Sequence, residues 1–187
     1  PQKQMSNFVA YSDDNGNTWA LSNFVTEPVA RGFEEASIIT RSDGSLLMIM
    51  RSWRGHAYYT VSEDEGATWS EAYPSGVIAP AAPSLMVNLP DSTDLLLVWN
   101  PLYIPDAPHN LTRHPLLCAV SKDDGKTWGL PKAIEANPDY QWAYPGVLFH
   151  EGEALLHYYR SHVIQNGCRE QILTNVPISW FYNDLIQ

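Results

Sequence analysis

Hydrophobic residues occur along this chain in short runs, which glycine, aspartate and proline residues separate. Short runs with turn residues between them are typical of β-strands. No segment keeps the 3.6-residue period of a helix for more than one or two turns. The pattern therefore predicts an all-β protein, and its 14 prolines, which are rare in central strands, agree with that prediction.

The predicted strands fall into groups of four. The first group comprises 36–40, 45–52, 57–62 and 69–77, and the second comprises 84–89, 94–100, 116–121 and 128–135. A last group begins with 144–149, 154–159 and 170–175. Because short turns join successive strands within each group, we expect every group to form an antiparallel sheet.

One eight-residue motif occurs three times. It reads SDDNGNTW at 12–19, SEDEGATW at 62–69 and SKDDGKTW at 121–128, so every copy fits Ser-x-Asp-x-Gly-x-Thr-Trp. Its short polar side chains can bond to nearby backbone amides, and its glycine can supply the positive φ of a tight turn. A calcium loop is disfavoured, because no copy has the bidentate glutamate that such a loop needs at its twelfth position. We therefore predict a structural turn, after which the tryptophan anchors the next strand.

The spacing of the motif predicts how the sheets are arranged. Trp19, Trp69 and Trp128 are 50 and then 59 residues apart, with four strands in a full interval, which is typical of β-propeller blades. The additional residues of the second interval lie in the loop 101–114, which we expect to lie over one mouth of the propeller.

These intervals divide the chain into units. Residues 31–78, 79–138 and 139–187 are predicted to be blades, and 1–30 are predicted to be the end of another. About three and a half blades are fewer than the four to eight that close a ring. We therefore expect the chain to be the C-terminal part of a larger propeller, with N-terminal blades supplied by its parent chain. Assembly of several copies into one ring is the alternative.

Charge and composition narrow the possible partners. Twenty-one acidic and eleven basic residues give a net charge of -10, which argues against sequence-independent binding to nucleic acid or to an anionic membrane surface. No apolar run approaches the roughly 20 residues of a membrane span. The six histidines show no zinc-type pairing, so we expect no metal and no other cofactor. Cys118 and Cys168 could form at most one bridge, and the sequence leaves its formation open.

The chain resembles the sialidase (neuraminidase) superfamily, whose Asp-box repeat is the eight-residue motif described above. A second and more specific similarity is Glu35 followed sixteen residues later by Arg51, which resembles the family's active-site glutamate and arginine. The resemblance covers nearly the whole chain and implies a six-bladed β-propeller. It also implies a carbohydrate as the partner.

The predicted hairpins independently bring several polar residues to one rim. About the turn 42–45, Glu35 and Arg51 lie almost equally far from the centre and become near cross-strand neighbours. The same construction brings Tyr144 alongside Tyr159 about the turn 150–153. It also brings residue 83 alongside Asn100 about the turn 90–93. Residue Arg113 enters the third strand of its blade from the same rim, whereas the motif turns cap the opposite ends.

The resemblance implies a role for each of these residues. Tyr144 resembles the tyrosine that attacks the anomeric carbon, and Glu35 resembles the general base that takes its proton. Arg51 and Arg113 resemble the second and third arginines of a trio that clamps the substrate carboxylate, a task that suits the planar guanidinium. A neutral phenol near an acceptor suits a sugar acid, because its carboxylate would repel an anionic nucleophile.

Further residues complete the predicted site. Asn100 and Tyr159 are expected to contact substrate, and the rim loops add Arg54, His56 and Arg169. The family's first arginine and its general acid are expected upstream of residue 1. Two departures from the family pattern leave the identity of the sugar open. Pro145 and Gly146 stand where a polar Ser-Asp usually follows the tyrosine, and the segment 79–84 lacks polar residues often found there.

The function we expect is that of an exo-acting glycoside hydrolase that removes a terminal acidic sugar with retention. The 187-residue chain alone is expected to have little or no activity, because it lacks the general acid. A propeller that binds carbohydrate without hydrolysing it is one alternative. A related hydrolase that acts on a different sugar is another.

Overall fold

The structure is a computed structural model that describes residues 5–27, 31–107, 112–164 and 169–182. Fifteen β-strands form five antiparallel sheets, and the described residues contain no α-helix. The 3₁₀ turn Ile178–Phe181 follows the last strand. The prediction of an all-β protein is therefore confirmed.

Two small ribbons come first. Strand β1 (Ser6–Asn7) pairs with β4 (Val25–Thr26), and β2 (Ala10–Tyr11) pairs with β3 (Ala20–Leu21). The first copy of the motif, 12–19, joins β2 to β3.

Two four-stranded sheets follow, and in each of them every strand pairs with the next along the chain. The first contains β5 (Glu34–Thr40), β6 (Leu46–Arg51), β7 (His56–Ser62) and β8 (Tyr73–Ile78). The second contains β9 (Leu85–Asn88), β10 (Leu95–Trp99), β11 (Leu116–Ser121) and β12 (Lys132–Glu135). The second strand of each sheet is almost wholly apolar and buried, as expected of a strand covered on both faces.

The last sheet has three strands within the described part of the chain. It contains β13 (Tyr140–His150), β14 (Glu153–His162) and β15 (Arg169–Pro177), with β14 in the middle. Cys118 is buried within β11, where burial raises the pKa of its thiol to about 12. Its possible partner Cys168 lies outside the described residues.

Apolar side chains between successive sheets form the core. Leu47 and Ile49 of β6 belong to one buried cluster with Leu95 and Leu97 of β10. A second cluster joins the opposite side of β10 to the sheet of β13 to β15. Polar side chains also link neighbouring sheets, because Asn88 bonds both backbone groups of Thr40, at 3.2 Å and 2.7 Å. Each sheet therefore packs face to face against the next.

The three motif copies have the same local structure. In each copy the serine hydroxyl donates to the aspartate, and an aspartate oxygen accepts the backbone N–H of the threonine at 2.8 Å. The glycines Gly16, Gly66 and Gly125 have φ of 86°, 95° and 80°. These bonds join residues two to four positions apart and close a tight turn. The prediction of a structural turn is therefore confirmed.

Candidate functional site

The candidate residues lie at the end of the sheets opposite to the motif turns. Glu34 begins β5 and Arg51 ends β6, while the turn 41–45 between these strands lies at the other end. There Asp124, in the third motif copy, accepts the Ser42 N–H at 2.8 Å and its hydroxyl at 2.6 Å. We call the end with the motif turns the motif end, and the end with Arg51 the site end.

Two β-bulges shape the site end. In β5 the residues Glu34 and Ala36 pair with Arg51 and Met50, so Glu35 is an additional residue with no partner. In β13 Ala143 pairs with Tyr159 and Gly146 with His157, so two residues there oppose one on β14.

The bulges place Glu35 and Tyr144 in an unusual backbone conformation. Their φ values are 32° and 55°, in the left-handed region that residues other than glycine rarely adopt. Bulges and strained backbone are frequent at functional sites, where they direct a side chain away from the ordinary alternation. Beyond each bulge the pairing differs by one residue from the one predicted from the turns, because Ala143 pairs with Tyr159 and Glu34 pairs with Arg51.

Glu35 and Tyr144 contact each other directly. The Tyr144 hydroxyl donates to Glu35 Oε1 at 2.6 Å, although the two residues are 109 positions apart. Burial disfavours the Glu35 carboxylate, but the bonds from Tyr144 and Arg51 outweigh it and hold the pKa of Glu35 below its ordinary value. The hydrogen bond to Glu35 raises the pKa of Tyr144, and burial adds to that effect. At neutral pH the pair is therefore a phenol that donates to a carboxylate.

Arg51 lies between two carboxylates. Its Nη1 donates to Glu35 Oε2 at 2.5 Å, and its Nη2 lies 3.3 Å from Glu34 Oε2. The side chain is only 7% exposed, and its Nε is buried without a hydrogen-bond partner.

Arg113 is buried without a comparable counter-charge. Its Nη1 donates to the Tyr159 hydroxyl at 2.8 Å, and its Nη2 lies 3.5 Å from the Ala81 carbonyl. Among the described residues no carboxylate forms an ion pair with it, and its Nε has no hydrogen-bond partner. A buried cation of this kind is costly unless an anion neutralises it.

Aromatic contacts tie Arg113 to Tyr144. The Tyr144 ring stacks on Tyr159, with centroids 5.5 Å apart and an interplanar angle of 27°. The Arg113 guanidinium lies 5.6 Å from the Tyr144 centroid. Arg169 lies 5.3 Å from the Tyr159 centroid. The predicted residues Glu35, Arg51, Arg113, Tyr144 and Tyr159 thus form one continuous set of contacts.

Other predicted residues contact different groups. Asn100 is buried beside β11, where its Nδ2 donates to the Pro115 carbonyl at 2.9 Å and its Oδ1 has no partner. Arg54 pairs with Glu27 at 2.7 Å. The ring of His56 stacks on its neighbour Tyr58, with centroids 5.1 Å apart.

The loop 101–114 is described except for residues 108–111. Its Tyr103 packs against Gly55, where an added Cβ would lie 2.6 Å from the tyrosine ring. Trp53, Ala81, Tyr103 and Thr112 line part of a cleft of about 230 Å³. The loop, which itself carries Arg113, therefore contacts the segment that follows Arg51.

Glu34 and Trp53 belong to the site but were missing from the sequence-based predictions. The Trp53 indole N–H donates to Glu34 Oε1 at 3.3 Å, and the Arg51 guanidinium lies 5.4 Å from the Trp53 centroid. The signal for Glu34 was its position beside Glu35. Strict alternation assigns two successive residues to opposite faces of a strand, so the pattern argued against a shared contact.

The described residues lack two features. They contain no cluster of three or more histidine, cysteine, aspartate or glutamate side chains that could hold a metal ion. No helix within the described ranges is long and apolar enough to cross a membrane.

Comparison with known proteins identifies the family. The family of BNR repeat-like domains matches residues 1–157, so the chain belongs to it. "Sialidase 85-1.1" of Trypanosoma cruzi is 45% identical over 64 residues, which are 34% of this chain and 8% of that protein. The resemblance to the sialidase superfamily that the motifs predicted is confirmed.

Solved structures share the fold. An intramolecular trans-sialidase from Ruminococcus gnavus superposes with a TM-score of 0.74 at 20% identity, over 95% of this chain and 39% of that one. A protein of unknown function from Dyadobacter fermentans superposes with a TM-score of 0.70 at 23% identity, over 94% of this chain and 46% of that one. The antiparallel sheets therefore match those of sialidase-type β-propellers. The chain spans less than half the length of each of these relatives.

Proposed function

We propose that the protein to which this chain belongs is an exo-acting glycoside hydrolase of the sialidase type, which removes a terminal acidic sugar from a glycan with retention. The observation that carries the proposal is the 2.6 Å hydrogen bond from the Tyr144 hydroxyl to Glu35 Oε1. It joins a candidate nucleophile to a candidate base, which is the geometry that an activated nucleophile requires.

Tyr144 is the nucleophile and Glu35 its general base. The Tyr144 oxygen bonds to the anomeric carbon while the glycosidic C–O bond breaks. The phenol proton passes to Glu35, and the leaving oxygen takes a proton from the general acid. Water then attacks the same carbon and gives a proton to the ionised general acid, while the bond from Tyr144 to the sugar breaks and the tyrosine oxygen recovers its proton from Glu35. Tyr144 is 42% exposed, so a ligand can reach it. The lowered pKa of Glu35 keeps this carboxyl ionised and able to accept the proton.

Arg113 and Arg51 bind the sugar carboxylate. Arg113 supports this role because it is buried without a carboxylate partner, so a ligand anion would supply the missing counter-charge. The site end carries this positive charge although the whole chain has a net charge of -10. Local positive charge of this kind attracts anionic ligands. Asn100, Tyr159, Arg54 and His56 remain proposed contacts of the substrate.

The complete site belongs to a six-bladed propeller, of which residues 31–78, 79–138 and 139–187 are blades and 1–30 the end of another. Apolar side chains support further blades beside the first and last sheets. Leu148 and Leu173 are exposed on the last sheet, as are Leu21 and Phe24 in and beside the first ribbons. In this proposal the additional blades supply the general acid and the first arginine. The 187-residue chain alone is therefore expected to show little or no turnover.

Replacement of the nucleophile tests the proposal. In the full-length protein, we expect Tyr144→Phe to lower kcat for an aryl sialoside by roughly 100-fold or more, because the attacking oxygen is removed. Tyr73→Phe is the matched control, since Tyr73 is 41% exposed on β8. Both variants should unfold at the temperature of the wild type. Unchanged turnover in Tyr144→Phe would refute the assignment.

Hydrolysis of another aryl glycoside in preference to the sialoside would identify a different sugar. Binding of sialic acid without turnover would favour a carbohydrate-binding propeller.

A further inference from the structure

We propose that Glu34 is a positioning residue for this reaction, which holds one side of the Arg51 guanidinium so that the other side stays on Glu35. The inference rests on the proposed function, because it assigns Glu34 to the base that serves Tyr144. It adds a residue that neither the motifs nor the family resemblance pointed to.

The geometry depends on the bulge in β5. Glu34 is the cross-strand partner of Arg51, and Glu35 is the additional residue of the bulge. In a regular strand these two side chains would point to opposite faces of the sheet. The bulge instead allows both carboxylates to reach one guanidinium, at 3.3 Å from Nη2 and 2.5 Å from Nη1. Two separate nitrogens are used, so Glu34 holds Arg51 without displacing Glu35.

Glu34 is itself held in place. Its side chain is 13% exposed, and its Oε1 accepts the Trp53 indole N–H at 3.3 Å. Arg31 lies 4.0 Å from the same oxygen and 4.2 Å from the centroid of the Trp53 ring. A side chain fixed by an indole and two guanidinium groups can orient the residue that it contacts.

The contact between Glu34 and Arg51 affects the basicity of Glu35. Arg51, Arg113 and Tyr144 face Glu35 from three other parts of the fold, and each of them favours its ionised form. A carboxylate that is too weakly basic is a poor proton acceptor. The negative charge of Glu34 lies on the same guanidinium, where it offsets part of the Arg51 charge. Glu34 therefore keeps Glu35 more basic than Arg51 alone would leave it.

The assignment also gives Arg51 and Arg113 different roles. Arg51 forms ion pairs with carboxylates on both sides, whereas Arg113 forms no ion pair among the described residues and interacts with the Glu35 charge only at longer range. Loss of Glu34 should therefore act on the chemical step, through Glu35, more than on binding of the sugar carboxylate at Arg113. This difference distinguishes a positioning role from general damage to the site.

Glu34→Gln in the full-length protein tests the inference, because the amide keeps the size of the side chain and can still accept the Trp53 bond. We expect kcat for an aryl sialoside to fall on the order of 10-fold with KM within about twofold. The acid limb of the pH profile should move to lower pH, since removal of a neighbouring negative charge lowers the pKa of Glu35. Glu63→Gln is the matched control, because it removes an exposed glutamate in a motif turn.

A second readout is independent of turnover. The pKa of the Glu35 carboxyl can be followed by ¹³C NMR, with its signal identified as the one that Glu35→Gln removes. We expect a lower pKa in Glu34→Gln than in the wild type and in Glu63→Gln. An unchanged pKa would overturn the inference, and so would a rise in KM with kcat intact. A wild-type protein that does not hydrolyse the sialoside would instead refute the proposed function, while the NMR comparison still decides the role of Glu34.

Discussion

Polar side chains at the two ends of the sheets differ in how far along the chain their hydrogen-bond partners lie. At the motif end, the charge of Asp64 is satisfied by Ser62 and Thr68, within four residues along the chain. At the site end, the bonds of Glu35 reach Arg51 and Tyr144, which are 16 and 109 residues away.

The ends also differ in what they leave unsatisfied. Eight buried side-chain nitrogen or oxygen atoms of the described residues lack a hydrogen-bond partner. Four of them belong to residues predicted for the site, namely Arg51, His56, Asn100 and Arg113. Buried polar groups without partners destabilise a fold, so these four atoms are unused bonding capacity that a ligand can satisfy. The motif end thus consists of turns that satisfy their own polar groups, whereas the site end has unsatisfied polar groups that the proposed function would use.

The largest expected difference between the two ends is the effect of Arg113→Met on activity in the full-length protein. We expect kcat/KM for an aryl sialoside to fall by about 100-fold or more, because the carboxylate loses a charged, bidentate donor. The melting temperature should be unchanged or higher, since the cation that is removed is buried and forms no ion pair among the described residues. Arg160→Met is the control, because Arg160 pairs with Glu170 outside the contact set of Arg113. A variant that melts earlier but keeps its activity would make Arg113 structural.

The opposite outcome is expected at the motif end. Asp64→Asn should lower the melting temperature by several degrees near neutral pH and leave kcat/KM unchanged, because Asp64 bonds only within its own turn. The Thr68 and Ser62 bonds hold the pKa of Asp64 below its ordinary value of 3.8.

The pH dependence of the Asp64 effect follows from that shift. A lowered pKa in the folded state stabilises the protein above the unfolded-state pKa, and this contribution is lost as pH falls through the folded-state pKa. The difference in melting temperature should therefore shrink below about pH 4. Asp91→Asn, at the exposed turn before β10, is the control. A difference that stays constant down to low pH would contradict the role of the Asp64 charge.

The smallest expected effect is a change in the pKa of the Tyr144 phenol. In Glu35→Gln the pKa of Tyr144 should fall, because the charged acceptor that raises it is replaced by a neutral amide while Arg51 and Arg113 remain. Alkaline titration of tyrosinate absorbance, compared with the wild type and with Glu151→Gln at an exposed turn, measures the shift. Identical titration curves would argue against the Glu35–Tyr144 contact.

Features that depend on residues close together in the sequence were predicted correctly, whereas features that depend on distant residues were not. The motif turns were predictable because Ser62, Asp64 and Thr68 bond within one short segment, whatever the rest of the chain does. The strands of both four-stranded sheets were predictable from short apolar runs between turn residues, although the fourth strands begin at Tyr73 and Lys132, later than the predicted positions 69 and 128. Hairpin symmetry also brought Glu35 close to Arg51, but it missed the bulge, since the alternation of residues carries no mark of an additional one.

The amino-acid sequence by itself determined the antiparallel strands, the three turns and the end at which polar residues gather, because these features depend on neighbours a few positions apart. Only the packing of the sheets brought Tyr144 to Glu35, placed Arg51 between Glu34 and Glu35, and buried Arg113 without an ion pair among the described residues. Such contacts depend on how one sheet packs on another and where a bulge redirects a side chain. The physical reason is that packing fixes these positions through many weak contacts, and no short segment contains them.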